Sequence, residues 1–340
     1  MRQKRFTAVI AGTGRIGFTL GFDKKREQPA SHTMALLGNK RINLIGACDT
    51  NEENLAAWKK YARRHGSMAL AFNSSDELYE NVVRPDIITV AVNEDAHLTE
   101  CVKAIEQKPR LVILEKPVAL NSEEASKIRE AAEKNKVAVL VNHERRFALD
   151  YNMAKSLMSE IGDIQKASGW LYSGLRVYGE EFEKDGTYSL LHDGTHLVDI
   201  VNFLTGEKLQ DPDVTGIYRD EKNIVRNFTA NYKGEKIPEI VISMSGRSKY
   251  FEFGVEILGT LGKICIGNGF FDFYKGEESK LYTGFYSLVP QKIKRPSKTR
   301  YFANMIQNAV DYLDGKTGLV STLEIAAVDL RVLEEIKSHF

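Results

Sequence analysis

The chain contains little cysteine and no long apolar run, and each absence excludes a class of protein. Its three cysteines, Cys48, Cys101 and Cys265, are far apart and form no CxxC pair. Neither a disulfide-rich secreted fold nor a cysteine-based zinc module is therefore expected. No apolar stretch approaches the roughly 18 residues that a membrane-spanning helix needs. We expect a cytoplasmic protein with free thiols and no membrane partner.

Net charge is nearly absent as well. The 47 basic and 46 acidic residues leave a formal charge of +1, and 43% of the 340 residues are hydrophobic. A chain without a strong positive field is not expected to recruit nucleic acid. The composition is that of a globular protein, and the length fits two domains.

The first part of the chain alternates short apolar runs with helical segments. The runs are FTAVIA at 6–11, INLIGAC at 42–48, DIITVAV at 86–92, LVIL at 111–114 and VAVLV at 137–141. Continuous apolar strands alternating with helices predict a parallel sheet covered on both faces. We place this first α/β domain at residues 1–147.

The pattern changes after about residue 150. Short β-rich runs such as NFTANY, EIVISMS, FEFGVEIL, GKICIG and FFDFY fill residues 212–290. They predict a large, open, mostly antiparallel sheet. Four helices complete this second α/β domain, which we place at residues 148–340; they are expected near 149–160, 189–204, 301–314 and 321–337.

A GxGxxG motif follows the first predicted strand. It consists of Gly12, Thr13, Gly14, Arg15, Ile16 and Gly17. Glycines in this position permit a tight turn and let a pyrophosphate approach backbone N–H groups. In the context of a preceding strand and a following helix, the motif predicts a dinucleotide-binding site.

Asp49, at the end of the second strand, bears on the choice of dinucleotide. A carboxylate there can accept a hydrogen bond from a ribose 2′-hydroxyl and repels a 2′-phosphate. No Lys or Arg follows at 50 or 51, so NAD is favoured over NADP. Asp49 lies 32 residues after Gly17, where about 20 is usual; the excess indicates an insertion within 22–31.

Glu115, Lys116 and Pro117 directly follow the strand LVIL. Ligands of parallel sheets bind at the carboxyl ends of the strands. A lysine placed there can donate a hydrogen bond to a substrate hydroxyl and stabilise developing alkoxide charge. The alternative is a surface lysine before a proline turn.

The segment LHDGTHLVD at 191–199 places His192 and His196 on one face of a predicted helix, close to Asp199. Three interpretations compete: His196 as a general base, a metal site of His192 and His196, or a structural polar face. The metal interpretation is the weakest, because Asp193 is too short to replace the zincin glutamate and no third ligand is identifiable.

Taken together, these motifs resemble the Gfo/Idh/MocA family, named after glucose–fructose oxidoreductase and inositol dehydrogenase. The matching segments occur in the family's order over nearly the whole chain: GTGRIG, Asp49, VAVNEDAH at 90–97, VILEKPVAL at 112–120, NHERRF at 142–147, DGTHLVDIVNFLTG at 193–206 and VEILGTLGKICI at 255–266. The resemblance implies a Rossmann domain followed by a domain whose open sheet forms dimers or tetramers. It also implies NAD(P)-linked oxidation or reduction of a sugar or cyclitol.

The resemblance assigns roles to individual residues. Lys116 corresponds to the active-site lysine, whose bond to the following proline is often cis, and His196 to the catalytic histidine. Asn93 and His97 correspond to the segment that lines the cofactor, and we include Glu115 and Lys116 among the cofactor-binding residues.

The chain departs from the family pattern just before the catalytic histidine. The family usually has an aspartate four residues before it. That position is His192 here, with Asp193 one residue later, so either side chain is the candidate helper of His196.

Further candidates for substrate binding are Arg145 and Arg146, and the aromatic residues Trp170, Tyr172, Tyr178 and Tyr188. The basic run KIKRPSKTR at 292–300 is either a solvated loop or a site for a phosphate-bearing substrate.

The resulting expectation is an NAD-dependent oxidoreductase with no resident metal, acting on a small polyhydroxy substrate as a homodimer or homotetramer. The alternatives are a dinucleotide-binding sensor or assembly protein without turnover, and a metal-dependent hydrolase that uses His192 and His196.

Overall fold

The computed structural model describes residues 5–173 and 187–340. The chain forms two compact units. The first consists of Met1–Ala148 and Lys298–Ala327, and the second of Leu149–Ser297 and Val328–Phe340. No helix in the described residues is both long and apolar enough to cross a membrane.

The first unit contains a six-stranded parallel sheet. In sequence order its strands are β1 (Phe6–Ala11), β2 (Ile42–Cys48), β3 (Leu70–Phe72), β4 (Ile87–Val90), β5 (Leu111–Leu114) and β6 (Ala138–Val141), and their spatial order is β3-β2-β1-β4-β5-β6. Its first helices are α1 (His32–Gly38), α2 (Glu52–Arg64), α3 (Ser75–Asn81), α4 (His97–Glu106) and α5 (Ser122–Asn135). This strand order confirms the predicted Rossmann fold.

The expected insertion lies inside the first helix of the Rossmann fold. The N–H groups of His32 and Thr33 donate to the carbonyls of Ile16 and Gly17. In an uninterrupted helix those carbonyls would accept from residues 20 and 21, because helical N–H groups bond four residues back. Twelve residues are therefore looped out while the helical register continues. Without them Asp49 would follow Gly17 by 20 residues, which is the usual spacing.

The second unit contains an eight-stranded sheet. In sequence order its strands are β7 (Ile164–Tyr172), β8 (Asp213–Arg219), β9 (Val225–Tyr232), β10 (Glu239–Ser245), β11 (Glu252–Gly259), β12 (Gly262–Gly267), β13 (Phe270–Glu278) and β14 (Tyr286–Pro290), and their spatial order is β14-β13-β12-β11-β7-β10-β9-β8. Among the described strands of this sheet, the β7–β10 pair alone is parallel. The expected mostly antiparallel sheet is confirmed, but its central strand β7 was not among the predicted runs.

Helix α6 (Leu149–Ser156) precedes β7, and helix α7 (Tyr188–Thr205) lies between β7 and β8 in the sequence. Leu197 and Val201 of α7 are fully buried. A Cβ atom added at Gly169 of β7 would meet these two side chains, so α7 covers one face of the sheet.

The last two helices are α8 (Tyr301–Leu313) and α9 (Leu323–Lys337). The expectation that residues 148–340 form one domain is corrected here, because α8 belongs to the first unit. Its apolar residues, among them Phe302, Met305 and Ile306, are buried in the same core as Phe6 and Ile10 of β1. An amphipathic pattern shows that a helix is buried on one side but not which sheet it packs against.

Candidate functional site

The three glycines of the GxGxxG motif serve different purposes. Gly12 has φ +94°, and a Cβ atom there would overlap the carbonyl of Ala91 on the neighbouring strand segment. A Cβ at Gly17 would overlap the carbonyl of Gly12, whereas one at Gly14 would meet nothing within 4 Å. Gly12 and Gly17 therefore close the turn, and Gly14 leaves backbone open to a ligand. Between them Arg15 is exposed, and Ile16 packs against the core.

Asp49 is bonded to this turn. Its Oδ2 atom accepts hydrogen bonds from the backbone N–H of Thr13 over 2.6 Å and from the Thr13 hydroxyl over 2.9 Å. Its Oδ1 atom accepts from the N–H of Asn51 over 2.8 Å. A carboxylate oxygen can accept more than one hydrogen bond, so Oδ1 retains capacity for a ribose hydroxyl.

A cavity of about 540 Å³ opens at the carboxyl ends of β1, β2 and β4 and reaches α4. Gly12, Gly14, Asp49 and Asn93 line it. The strand order reverses between β1 and β4, and open α/β sheets bind their ligands at this switch point. The structure therefore gathers the glycine turn, Asp49 and Asn93 around one space.

The charge of this cavity is predominantly negative. Asp49, Asp76, Asp95 and Glu100 line it, and among the described lining residues Lys103 is the single cation. The Lys103 Nζ atom lies 2.8 Å from Asp76 and 3.7 Å from Glu100. Because this cation is already paired with carboxylates, the cavity offers little attraction for an additional phosphate.

Lys116 follows β5 at the same carboxyl edge of the sheet, and its bond to Pro117 is cis. Lys116 is partly exposed, but Glu115 is only 5% exposed. The Oε1 atom of Glu115 accepts a hydrogen bond from Asn142 over 2.6 Å and lies at hydrogen-bond distance from His32 Nε2. Glu115, which is predicted among the cofactor-binding residues, is thus buried and held by Asn142 and His32.

His97 joins two of the strand-end loops. Its Nδ1 atom lies 2.7 Å from the carbonyl of Pro117, and its Nε2 atom lies 3.3 Å from the carbonyl of Val92. Burial lowers the pKa of His97, although the hydrogen bond to Pro117 opposes this. We infer a neutral ring that donates from Nδ1 to Pro117. His97 is 1% exposed, and it links the segments of Val92 and Pro117; its predicted place in the segment that lines the cofactor stays a prediction.

The remaining predicted catalytic residues lie on α7 in the second unit. His192, Asp193 and His196 are all partly exposed along this helix, whereas Asp199 is buried. Gly194 does not interrupt the helix; its Cβ position lies close to Leu333 and Met244, which indicates tight packing at this turn. Within the described part of the chain, no group of three potential metal ligands includes His192 or His196.

The aromatic substrate candidates occupy a different surface. Gly169 and Leu171 of β7 face α7, so the alternating residues Trp170 and Tyr172 lie on the opposite face of the sheet. The Trp170 indole donates to Glu252 over 2.9 Å and stacks near Phe270. This placement separates both residues from His196. Tyr178 and the side chain of Tyr188 lie outside the described residues.

The arginine candidates follow β6 in the first unit. Arg145 is close to Glu144, with 3.3 Å between Nη1 and Oε1, and Arg146 is 8% exposed. A buried arginine at a strand end can brace the loop or bind substrate, so both roles stay open for Arg146.

The predicted basic run at 292–300 contacts the insertion. Thr299 and Arg300 donate their backbone N–H groups to Glu27.

Sequence reasoning missed three residues of this site: Thr13, His32 and Asn142. Thr13 stands between two motif glycines, close in the fold to the end of β2. The sequence offers this one signal for the hydrogen bond from its hydroxyl to Asp49. His32 and Asn142 are separated from Glu115 by 83 and 27 residues, and no local pattern connects residues at such distances.

Residues 6–143 match a family model, GFO_IDH_MocA, described as an oxidoreductase family with an NAD-binding Rossmann fold. Over 183 residues the chain is 28% identical to glucose-6-phosphate 3-dehydrogenase of Bacillus subtilis strain 168, which covers 51% of this chain and 50% of that protein. The chain thus spans about half the length of this curated relative. An uncharacterized oxidoreductase of Streptococcus pneumoniae is 26% identical and covers 77% of this chain and 72% of its own length.

Solved structures resemble the fold across the whole chain. An oxidoreductase from Agrobacterium radiobacter, in complex with NAD+, L-tartaric acid and magnesium, matches with a TM-score of 0.75 at 15% identity, covering 99% of this chain and 98% of that one. UDP-N-acetylglucosamine 3-dehydrogenase from Acidithiobacillus ferrooxidans matches with a TM-score of 0.74 at 13% identity, covering 99% and 98%. The family-model match thus covers residues 6–143, which lie within the first unit, and the solved structures share the fold over the remainder of the chain.

Proposed function

We propose that the protein is an NAD-dependent dehydrogenase acting on a hydroxyl-bearing carbon of a sugar, cyclitol or sugar derivative. The observation that carries this proposal is the position of Lys116 at the carboxyl edge of the same sheet that forms the glycine-turn cavity. A binding protein without turnover needs the cavity but has no use for an ammonium donor at that edge.

Each residue has a stated task in the oxidation. NAD, when bound, supplies the nicotinamide C4 that accepts the hydride. His196 takes the proton of the substrate hydroxyl, and Lys116 donates a hydrogen bond to the same oxygen as the carbonyl forms. His192 or Asp193 hydrogen-bonds a neighbouring hydroxyl. In the reverse direction His196 returns the proton.

We propose NAD rather than NADP because of the charge around Asp49. The carboxylate is fixed by Thr13 and Asn51, and the cavity is lined mainly by acidic side chains. A 2′-phosphate placed there would meet like charge in a partly enclosed space. Titrating NADH and NADPH by protein fluorescence tests this, and tighter binding of NADPH would contradict it.

The substrate class is inferred from the relatives. A curated relative is named as a glucose-6-phosphate dehydrogenase acting at position 3, and a structural relative as a nucleotide-sugar 3-dehydrogenase. A sugar or sugar derivative is accordingly the first class to test. Purified protein should be mixed with NAD and a panel of sugars, cyclitols, sugar phosphates and nucleotide sugars, and NADH absorbance followed. Turnover that persists in Lys116→Ala would contradict the proposal.

We also propose that the protein works as a homodimer or homotetramer built through the second unit's sheet. Val241, Ser243 and Ser245 of β10 are partly exposed on the face of the sheet opposite α7. In the proposed oligomer, a second copy of the sheet covers this face. Sedimentation should give a mass of two or four times 38.3 kDa.

Cys48, Cys101 and Cys265 are free thiols, which fits a reducing, cytoplasmic setting.

A further inference from the structure

The carboxylate of Glu115 receives hydrogen bonds from widely separated parts of the first unit. His32 Nε2 on α1 and Asn142 Nδ2 after β6 both lie at hydrogen-bond distance from Oε1. The backbone N–H of Lys116 donates to Oε2 over 3.3 Å. His32 is fully buried, and Asn142 is 3% exposed. These contacts hold the residue that immediately precedes Lys116.

Such an arrangement keeps a charge in a buried position. Burial raises the pKa of Glu115, but the hydrogen bonds from His32 and Asn142 and the positive charge of Lys116 outweigh it and hold the pKa below its usual value. A buried carboxylate stays ionised only when donors and positive charge replace its lost hydration. Lys116 therefore follows a carboxylate that is ionised at neutral pH and fixed in direction.

The ring of His32 is itself held from the other side. Phe302 of α8 meets it edge-on, with 5.1 Å between ring centroids. The start of α8 is anchored by Glu27, whose Oε1 and Oε2 atoms accept from the N–H groups of Arg300 and Thr299 over 2.6 Å each. Glu27 belongs to the twelve-residue insertion, so the looped-out segment supports the helix that packs against His32.

We propose that His32 and Asn142 are positioning residues that set the direction of the Lys116 ammonium through the carboxylate of Glu115. The proposal rests on the proposed function, in which Lys116 acts on the substrate oxygen. A fixed negative charge gives the neighbouring ammonium one preferred orientation, and removing a donor lets the carboxylate turn or take up a proton. A purely structural brace between α1, β5 and β6 would not depend on the charge at position 115.

Variants at His32 and Glu115 separate these two roles. His32→Leu removes a donor, whereas His32→Gln returns an amide N–H at a similar reach. Glu115→Gln keeps the shape and removes the charge. We expect His32→Leu and Glu115→Gln to lower kcat by up to about 100-fold, the scale of a displaced catalytic group, with the Kd for NADH changed only a few fold. His32→Gln should recover most of the loss.

The matched control is Trp58→Phe. Trp58 is fully buried in the same unit and donates to Thr33, the neighbour of His32, over 2.9 Å. The Trp58→Phe variant loses this buried hydrogen bond but leaves the partners of Glu115 in place. It should therefore lower thermal stability and leave kcat unchanged. If His32→Leu and Glu115→Gln lowered kcat no more than Trp58→Phe, the proposal would be wrong.

A second readout does not require turnover. The rate at which acetic anhydride acetylates Lys116, relative to the exposed Lys127, is measured by peptide mapping. This ratio should change several-fold in Glu115→Gln and His32→Leu, return towards the wild-type value in His32→Gln, and stay constant in Trp58→Phe. An unchanged ratio in Glu115→Gln would overturn the positioning role, even if His32→Leu failed to fold. Persistent turnover in Lys116→Ala would instead refute the proposed function and leave the labelling result valid.

Discussion

The two sheets of this protein bury their residues in different ways. In the first unit, β4 and β5 bury all four of their residues, because helices cover both faces of a parallel sheet. In the second unit, β7 and β10 bury alternate residues, because α7 packs on one face, while the opposite face is partly exposed among the described residues. The first sheet can therefore present polar groups only at its strand ends. In the second unit, the proposed chemical groups are carried by a helix instead.

This difference explains why the two halves of the proposed site are built so differently. Asp49, Glu115 and His97 all come after strands, and each is held by at least one partner from a distant segment: Thr13 for Asp49, His32 and Asn142 for Glu115, and Pro117 for His97. His192 and His196 owe their relative position to one helix, α7, whose opposite side is buried. A loop site needs cross-links between distant segments, whereas a helix face needs only a packed apolar stripe.

The largest expected effect is the loss of turnover when the proposed catalytic group of either half is removed. Lys116→Ala and His196→Ala should each lower kcat by about 10²–10⁴ and leave the Kd for NADH within a few fold, because neither residue is assigned to the adenosine half. The double variant should lose little more, since a donor and a base at one oxygen act as a unit. Steady-state kinetics and fluorescence titration measure both quantities. Fully additive losses would show that the halves do not act on one oxygen.

His192→Ala and Asp193→Ala sharpen the same comparison within the helix. The residue whose loss reduces kcat more is the helper of His196.

The next largest effect concerns the strand-end half alone. Gly12→Ala should abolish detectable NADH binding and destabilise the first unit, because the added Cβ overlaps the Ala91 carbonyl and φ is +94°. A strained backbone of this kind costs of the order of 1–3 kcal/mol. Gly14→Ala, whose Cβ meets nothing within 4 Å, should fold normally and lose only affinity. Thermal melts with and without NADH distinguish these outcomes; equal melting temperatures would contradict the assigned difference.

A smaller effect is expected from Asp49→Asn. The variant keeps an oxygen for Thr13 but removes the charge, so NADH should bind more weakly by about 1.5–3 kcal/mol at most, the range for hydrogen bonds to charged groups. NADPH should bind no more weakly than before, and the preference for NADH should narrow. Asp95→Asn, which alters another acidic residue lining the cavity, is the control for a general charge effect. An unchanged NADH preference in Asp49→Asn would remove the assigned role.

The smallest expected effect is a pH dependence of the first unit. The pKa of Glu115 is lower in the folded protein than its usual value. At pH values above the usual pKa, the ionised carboxylate therefore stabilises the folded state. This contribution is lost as the pH falls through the folded-state pKa. Glu115→Gln should therefore show a weaker loss of thermal stability than wild type on acidification from about pH 5. Parallel pH profiles of wild type and variant would contradict this.

Much of the fold follows from local patterns. Apolar runs predicted β1, β2, β4, β5 and β6. The prediction assigned α8 to the second domain, and it omitted β3 and β7. Both depend on which surface a segment packs against, and its own hydrophobic period does not encode that choice.

For the site, the sequence by itself determined the groups whose meaning is local: the glycine turn, a carboxylate after β2, a lysine after β5 and two histidines one helical turn apart. Only the tertiary structure decided what lies next to them. It placed Thr13 on Asp49, returned the helical register across the insertion, and joined His32 and Asn142 to Glu115. The physical reason is that spacing fixes neighbours within one strand, turn or helix. Contacts between residues 27 and 83 positions apart form only when packing brings their segments together.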